Sequence, residues 1–169
     1  MNIFFLHFDQ RICAMWHLDK HVVKMVLETL QMLCAVWHIS DSEHDIFTPP
    51  YKLAHKNHPC TVWARESLDN YNWLMILGTE LCKEYTYRYG KVHSCEKHFY
   101  EMMKFTPPIP SIGFTNPAQA MPDKYKDKDP VVAYRHYYFF EKSSIHSWKG
   151  KINGRDVPIW VMEFEQLFE

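Results

Sequence analysis

Apolar residues recur with a helical period along two long stretches of the chain. Residues 10–37 contain no proline or glycine and are rich in good helix formers, which predicts a first long helix after a capping Asp9. Residues 61–89 are also rich in helix formers and are interrupted only by Gly78, and Gly90 is the natural stop of a second long helix. We expect both helices to be buried on most sides, because apolar residues cover most of their circumference.

The segments around these helices are shorter or extended. Residues 106–130 hold six of the ten prolines and a single glycine, which predicts an extended arm that wraps around the domain. Shorter helices are predicted over 94–105 and 131–142, a short strand or extended segment over 2–8, and an ordered apolar tail over 152–168. The fold class is therefore mainly α: a single compact helical domain over residues 1–169, with a Pro-rich wrapping arm and at most a short N-terminal strand.

The composition indicates the cellular compartment and says less about the function. Hydrophobic residues make up 47% of the chain and aromatics 16%, which describes one dense globular interior. Lys and Arg total 19 against 20 Asp and Glu, so only a local basic patch could attract nucleic acid. Five cysteines without a C-x-x-C motif argue against a disulfide scaffold. With no apolar run of 18 residues, we expect a cytoplasmic protein with no membrane partner.

A strip of ionisable side chains follows one side of the first predicted helix. At 100° per residue the strip spans roughly 80°. Its members are His17, His21, Lys24, Glu28 and Gln31, with Lys20 at the edge. One interpretation is an ordinary solvent face. The other is the lining of a cleft, because histidines are unusual on a solubilising face and can transfer protons near neutral pH.

Two further clusters combine cations with aromatic rings. The second helix ends in Glu84, Arg88, Lys91 and His93, and the last helix carries Tyr134, Arg135 and Lys142. Such cations can hold a phosphate or carboxylate, and tyrosine rings can stack on bases. Both clusters also have structural interpretations, because cations favour the C-terminal end of a helix dipole and tyrosines at helical spacing commonly pack in a core.

Histidine spacing gives a weak metal signal. His17 and His21 are four residues apart, and His55-x-x-His58 adds a second pair. Asp19 projects away from the first pair, however, and the glutamate of an H-E-x-x-H motif is missing. We assign no metal ligands and expect no structural zinc, while a divalent metal stays compatible with the sequence.

Several segments resemble a family of small proteins from tailed phages and large DNA viruses. They are Asp19-Lys20-His21-Val22-Val23-Lys24-Met25, His55-Lys56-Asn57-His58-Pro59, Glu84-Tyr85 with Arg88-Tyr89-Gly90-Lys91-Val92-His93, Gln119-Ala120-Met121-Pro122, and Ala133-Tyr134-Arg135 with Tyr137-Tyr138. This resemblance covers most of residues 1–142 and implies a viral setting, with no settled reaction.

A second resemblance concerns the end of the last predicted helix. Tyr137-Tyr138 followed by Lys142 is similar to the tyrosine-rich tail of phage pyrimidine-dimer glycosylases. Those enzymes attack with the N-terminal amine of the residue that follows a removed initiator Met. The bulky Asn2 of this chain disfavours exposure of that amine.

Together these features predict a viral enzyme of the host cytoplasm that acts on a nucleotide or a nucleic-acid base. His21 and His17, with Glu28 or Glu84, would be the catalytic residues that transfer protons. Ligand and phosphate binding across one shared cleft would fall to the cations and rings of the three clusters: Lys20, Lys24, Arg88, Lys91, His93, Tyr134, Arg135 and Lys142. The alternative is a non-catalytic protein that binds nucleic acid or a host protein with the same groups. The sequence does not indicate the oligomeric state.

Overall fold

The computed structural model describes residues 1–168, and within them it contains seven α-helices and no β-strand. The helices are α1 (Gln10–Trp16), α2 (Asp19–Ser40), α3 (Pro59–Glu66), α4 (Leu68–Tyr89), α5 (Glu96–Met102), α6 (Pro130–Lys142) and α7 (Ile159–Phe168). Single 3-10 turns lie at Asp123–Tyr125 and Ser143–Ile145. The prediction of a mainly α fold is confirmed.

The prediction of one unbroken first helix is wrong, because the chain leaves the helical path at His17 and Leu18. There the amide of Leu18 donates to the Tyr138 hydroxyl at 2.9 Å. The next amide, that of Asp19, donates to the carbonyl of Ser147 at 2.7 Å. These partners belong to the C-terminal part of the chain, so no local signal marks the break.

The second predicted helix is also divided. Ser67 adopts an extended conformation between α3 and α4, and its hydroxyl caps α4 by accepting from the amide of Asp69 at 3.3 Å. The Leu68 amide, free at the start of α4, donates to the carbonyl of Pro110 in the arm at 2.8 Å. The predicted stop at Gly90 is confirmed, since this residue is left-handed with φ 65° and ends α4.

Helices α2 and α4 form the centre of the core and make the most extensive helix–helix contact. Gly78 allows α5 to approach α4 closely, because a Cβ at this position would lie 2.1 Å from the buried Phe99 ring. Helix α2 is also long and apolar enough to cross a membrane, with a mean hydropathy of 1.4. Since 61% of that segment is buried inside the fold, the same pattern fits a core helix.

The arm and the N-terminal segment cover one side of this core. Residues 106–130 run extended, as predicted, and contact both α3 and α4. Thr115 accepts from the Trp63 indole at 3.2 Å, and its amide donates to the Asn70 side chain at 2.9 Å. Residues 2–6 are buried and form neither a helix nor a strand, and Phe4 has a positive φ of 42°.

Candidate functional site

An amine and a carboxylate meet where the N-terminal segment reaches α2. The α-amino nitrogen of Met1 lies 3.5 Å from Glu28 Oε2, and Lys24 Nζ lies 3.2 Å from Glu28 Oε1. The Glu28 side chain is 12% exposed and Lys24 is 66% exposed. The carboxylate therefore lies at the edge of the core, between a chain-terminal amine and a lysine that faces solvent.

Local structure explains why these groups meet. Lys24 and Glu28 are one helical turn apart, so both project from the same face of α2. On the opposite side, the first turn of α3 contacts the terminal residue through Thr61 Oγ1, which lies 3.8 Å from Met1 Sδ. Residues 2–6 then enter the core and fix the direction of the chain.

His58, from the His55-x-x-His58 motif, flanks this pair. Its Nδ1 caps α3 by accepting from the amide of Cys60 at 3.2 Å, so in the neutral ring Nε2 carries the proton. Burial lowers the pKa of His58, and the positive charge of the Met1 amine lowers it further. The neutral His58 imidazole therefore adds no positive charge next to the Met1 amine.

A groove of about 460 Å³ opens beside Glu28. Its lining includes Lys24, Glu28, Gln31, Tyr51, His93 and Cys95. The volume falls in the range of small-ligand sites, and the wall combines aromatic rings with an amide and two charges. Of the residues predicted for a cleft, the structure brings Lys24, Glu28 and His93 together here.

The two histidines of the predicted strip lie in the core instead. His17 is fully buried with Nδ1 2.7 Å from the carbonyl of Cys13, and burial lowers its pKa to about 4. His21 Nδ1 lies 2.9 Å from the Tyr138 hydroxyl, the ring stacks on Phe4, and burial lowers its pKa to about 3. The prediction that both rings line a cleft is wrong, because Phe4 and α6 cover this part of the strip.

Arg88 and Glu84 form a closed ion cluster rather than the opposite wall of that cleft. Arg88 has no exposed surface, and its Nε donates to Glu84 at 2.7 Å. Its Nη1 donates to Asp19 and its Nη2 to the carbonyl of Met15, both at 2.9 Å. Arg155 adds two hydrogen bonds to Glu84, at 3.0 and 2.9 Å. Every nitrogen of Arg88 is engaged within the protein, so the predicted shared cleft does not form.

The predicted phosphate-binding residues on α6 also make internal contacts. Arg135 Nε donates to the carbonyl of Leu6 at 3.1 Å, and its guanidinium lies 4.9 Å from the Trp16 ring centroid. Tyr134 is buried and donates to the carbonyl of Ala118 at 2.6 Å. Lys142 lies at the surface over the Tyr137 ring, at 5.0 Å from its centroid. Lys20 and Lys91 are exposed.

Sequence reasoning missed Met1, Tyr51 and Arg155 as parts of these sites. A chain-terminal amine belongs to no side-chain motif, and Tyr51 and Arg155 lie in irregular segments whose positions depend on distant contacts. The resemblance to amine-dependent enzymes was the available signal. It directed attention to the amine of residue 2, whereas the amine beside Glu28 belongs to Met1.

No three His, Cys, Asp or Glu side chains converge on a metal-sized position among residues 1–168. The first of the two histidine pairs is packed in the core, and His58 of the second caps α3. The sequence motif therefore has a structural explanation at His58, and the structure assigns no ligands to a divalent metal.

Comparison with known proteins adds an independent finding. No curated protein and no solved structure matches the chain. A family model described as pyrimidine dimer DNA glycosylase matches residues 1–97, which include Met1, Glu28, Tyr51 and His93. Because this match covers 97 of the 169 residues, the protein belongs to the pyrimidine dimer DNA glycosylase family.

Proposed function

We propose that this protein is a DNA glycosylase that releases a damaged pyrimidine, with the Met1 amine as nucleophile and Glu28 as its acid–base partner. The observation that carries the proposal is the 3.5 Å contact between the Met1 nitrogen and Glu28 Oε2. A carboxylate next to an amine can take its proton, which frees the nitrogen lone pair for attack.

The reaction requires one bond exchange at the sugar. The neutral amine attacks C1′ of the deoxyribose, so the new N–C1′ bond forms as the bond from C1′ to the base breaks. The base departs with the bonding electrons and takes up a proton. Opening of the sugar ring leaves an iminium between Met1 and C1′, and the Glu28 carboxylate stabilises this positive charge. Addition of water to the iminium then frees the amine and leaves an abasic site.

The surroundings of the pair suit a DNA substrate. Lys20 and Lys24 are exposed one turn apart on α2. Cations in this position attract phosphates despite the neutral overall charge. The groove beside Glu28 presents Tyr51 and His93, whose rings can stack on an extruded base. A DNA-acting enzyme of this kind would work inside the cell, and the viral resemblance implies the host cytoplasm.

The test is glycosidic-bond cleavage in an oligonucleotide that contains one thymine dimer, detected as an alkali-labile abasic sugar, since the cut base stays joined to its neighbour through the dimer. Borohydride reduces the iminium to a stable amine, so the rate of covalent protein–DNA adduct formation reports the attack step. We expect Glu28→Gln to lower this rate about 100-fold or more, because general acid–base catalysis contributes about 100- to 10,000-fold. Glu43→Gln, which changes an exposed carboxylate away from the site, is the matched control and should react like the wild type.

Three other outcomes would each change a different part of the proposed reaction. Tight binding of dimer-containing DNA with neither glycosidic cleavage nor an adduct would support the non-catalytic alternative. An adduct carried by Lys24 instead of Met1 would keep the reaction and replace the nucleophile. Unchanged rates in Glu28→Gln would contradict the proposed acid–base partner.

A further inference from the structure

We infer that Asn2 is the positioning residue of this site: its buried side chain clamps the chain next to Met1 so that the terminal amine faces Glu28. The inference rests on the proposed function. It concerns how the nucleophile is held, since chain termini are ordinarily among the least ordered parts of a protein. A displacement of about 1 Å can slow an enzymatic reaction by about 100-fold.

Both ends of the Asn2 side chain are occupied. Its Oδ1 accepts from the amides of Ile3 at 2.8 Å and Phe4 at 3.3 Å, which folds the backbone around the side chain. Its Nδ2 donates to the carbonyl of Ala120 in the arm at 2.9 Å. Asn2 is 6% exposed, so these hydrogen bonds are shielded from competing water.

The backbone bends at Phe4, and this bend needs stabilising contacts. Phe4 has φ 42°, a left-handed conformation that costs free energy for a residue with a side chain. The two amide hydrogen bonds to Asn2 lie on the N-terminal side of this bend and end at the Phe4 amide, and the Phe4 ring stacks on His21 with 4.4 Å between centroids. Such strain persists only where surrounding contacts hold it, and here it turns the chain three residues after the proposed nucleophile.

The arm supplies the other half of the clamp. Tyr134 on α6 donates to the carbonyl of Ala118 at 2.6 Å and accepts from the amide of Ala120 at 3.3 Å. The buried Tyr134 thus anchors the two residues that lead to the Ala120 carbonyl, the acceptor of Asn2. Tyr134 and the arm lie outside residues 1–97, so the part of the chain beyond the family match completes the site.

Asn2→Leu is the direct test. Leucine has nearly the same size but leaves the amides of Ile3 and Phe4 and the carbonyl of Ala120 unpaired. Like asparagine, it is too bulky to favour removal of the initiator Met. We expect adduct formation with dimer-containing DNA to slow by about 10- to 100-fold, while affinity for that DNA is unchanged. Tyr134→Phe should shift the rate in the same direction by less, and covers the case in which Asn2→Leu fails to fold.

A second measurement does not require activity. Limited acylation followed by mass spectrometry compares modification of the Met1 amine with that of surface lysines. Release of the clamp should raise Met1 acylation severalfold in Asn2→Leu. Asn116→Leu, at an exposed position of the arm, should leave both the rate and the acylation unchanged.

The two measurements separate the clamp from the proposed reaction. No adduct in the wild type, together with increased acylation in Asn2→Leu, would support the clamp and reject the amine as a nucleophile. Equal adduct rates and equal acylation in the wild type and Asn2→Leu would overturn the clamp and leave the reaction standing. Equal acylation without any wild-type adduct would reject both.

Discussion

The chain places two carboxylates next to cations on its two longest helices, and the two sites differ in how fully those cations are bound within the protein. Glu84 on α4 meets Arg88 and Arg155, and Arg88 continues to Asp19, with the Arg88 side chain fully buried. Glu28 on α2 meets Lys24 and the Met1 amine beside an open groove. The saturated Arg88 cluster joins α4 to α2, whereas the Glu28 pair leaves Lys24 facing solvent beside a groove.

The largest effect should come from breaking the saturated cluster. Arg88→Met leaves Glu84 with only Arg155 and removes the guanidinium partner of Asp19, and we expect a loss of about 3–5 kcal/mol in the free energy of unfolding. Lys24→Met removes the cation one turn from Glu28 and should cost at most about 0.5 kcal/mol, since Lys24 is 66% exposed. Urea denaturation of both variants measures the difference. Similar losses for both would mean that the two clusters do not differ as described.

The core histidines beneath the open site should make stability depend on pH. Burial lowers the pKa of His17 from 6.5 to about 4, so between these values the unfolded chain binds a proton that the native state excludes. Stability should therefore fall as the pH decreases from about 6.5 to about 4, by roughly 3 kcal/mol for His17. Urea titrations across this range, on the wild type and His17→Leu, check the sign and size. A slope in the variant equal to that of the wild type would assign the dependence to other groups.

The smallest expected effect is that of metal removal. The five cysteines of the chain are free and buried, and no three candidate ligands converge among residues 1–168. A molar excess of EDTA should leave the melting temperature and the circular dichroism spectrum unchanged. A drop of many degrees would show that a bound metal contributes to the fold.

Local chemistry accounts for the parts of this fold that the sequence predicted. The Pro-rich composition of 106–130 indicates an arm, Gly90 indicates the end of α4, and helical periodicity indicates α6 to within one residue. The breaks at Leu18 and Ser67 escaped prediction because their amide or hydroxyl partners, Tyr138 and the arm, are distant in sequence. Local pattern carries no information about such partners.

The candidate site was predictable to a similar extent. Lys24 and Glu28 stand in the polar strip of α2, and periodicity alone groups them with His17 and His21. It cannot show that Phe4 and Tyr138 cover the N-terminal part of the strip, while the next turn opens to a groove. The position of the Met1 amine depends on the buried Asn2 and on the arm, and therefore on the whole fold.

The proposed mechanism is tested most directly by identifying the protein atom that attacks the sugar. Wild-type protein is mixed with dimer-containing DNA, the adduct is trapped with borohydride and digested, and tandem mass spectrometry locates the attached sugar. We predict that the sugar is attached only to the α-amino nitrogen of Met1, and that this attachment is lost in Glu28→Gln and retained in Glu43→Gln. A sugar attached to any lysine side chain, or glycosidic cleavage without a trapped adduct, would contradict it.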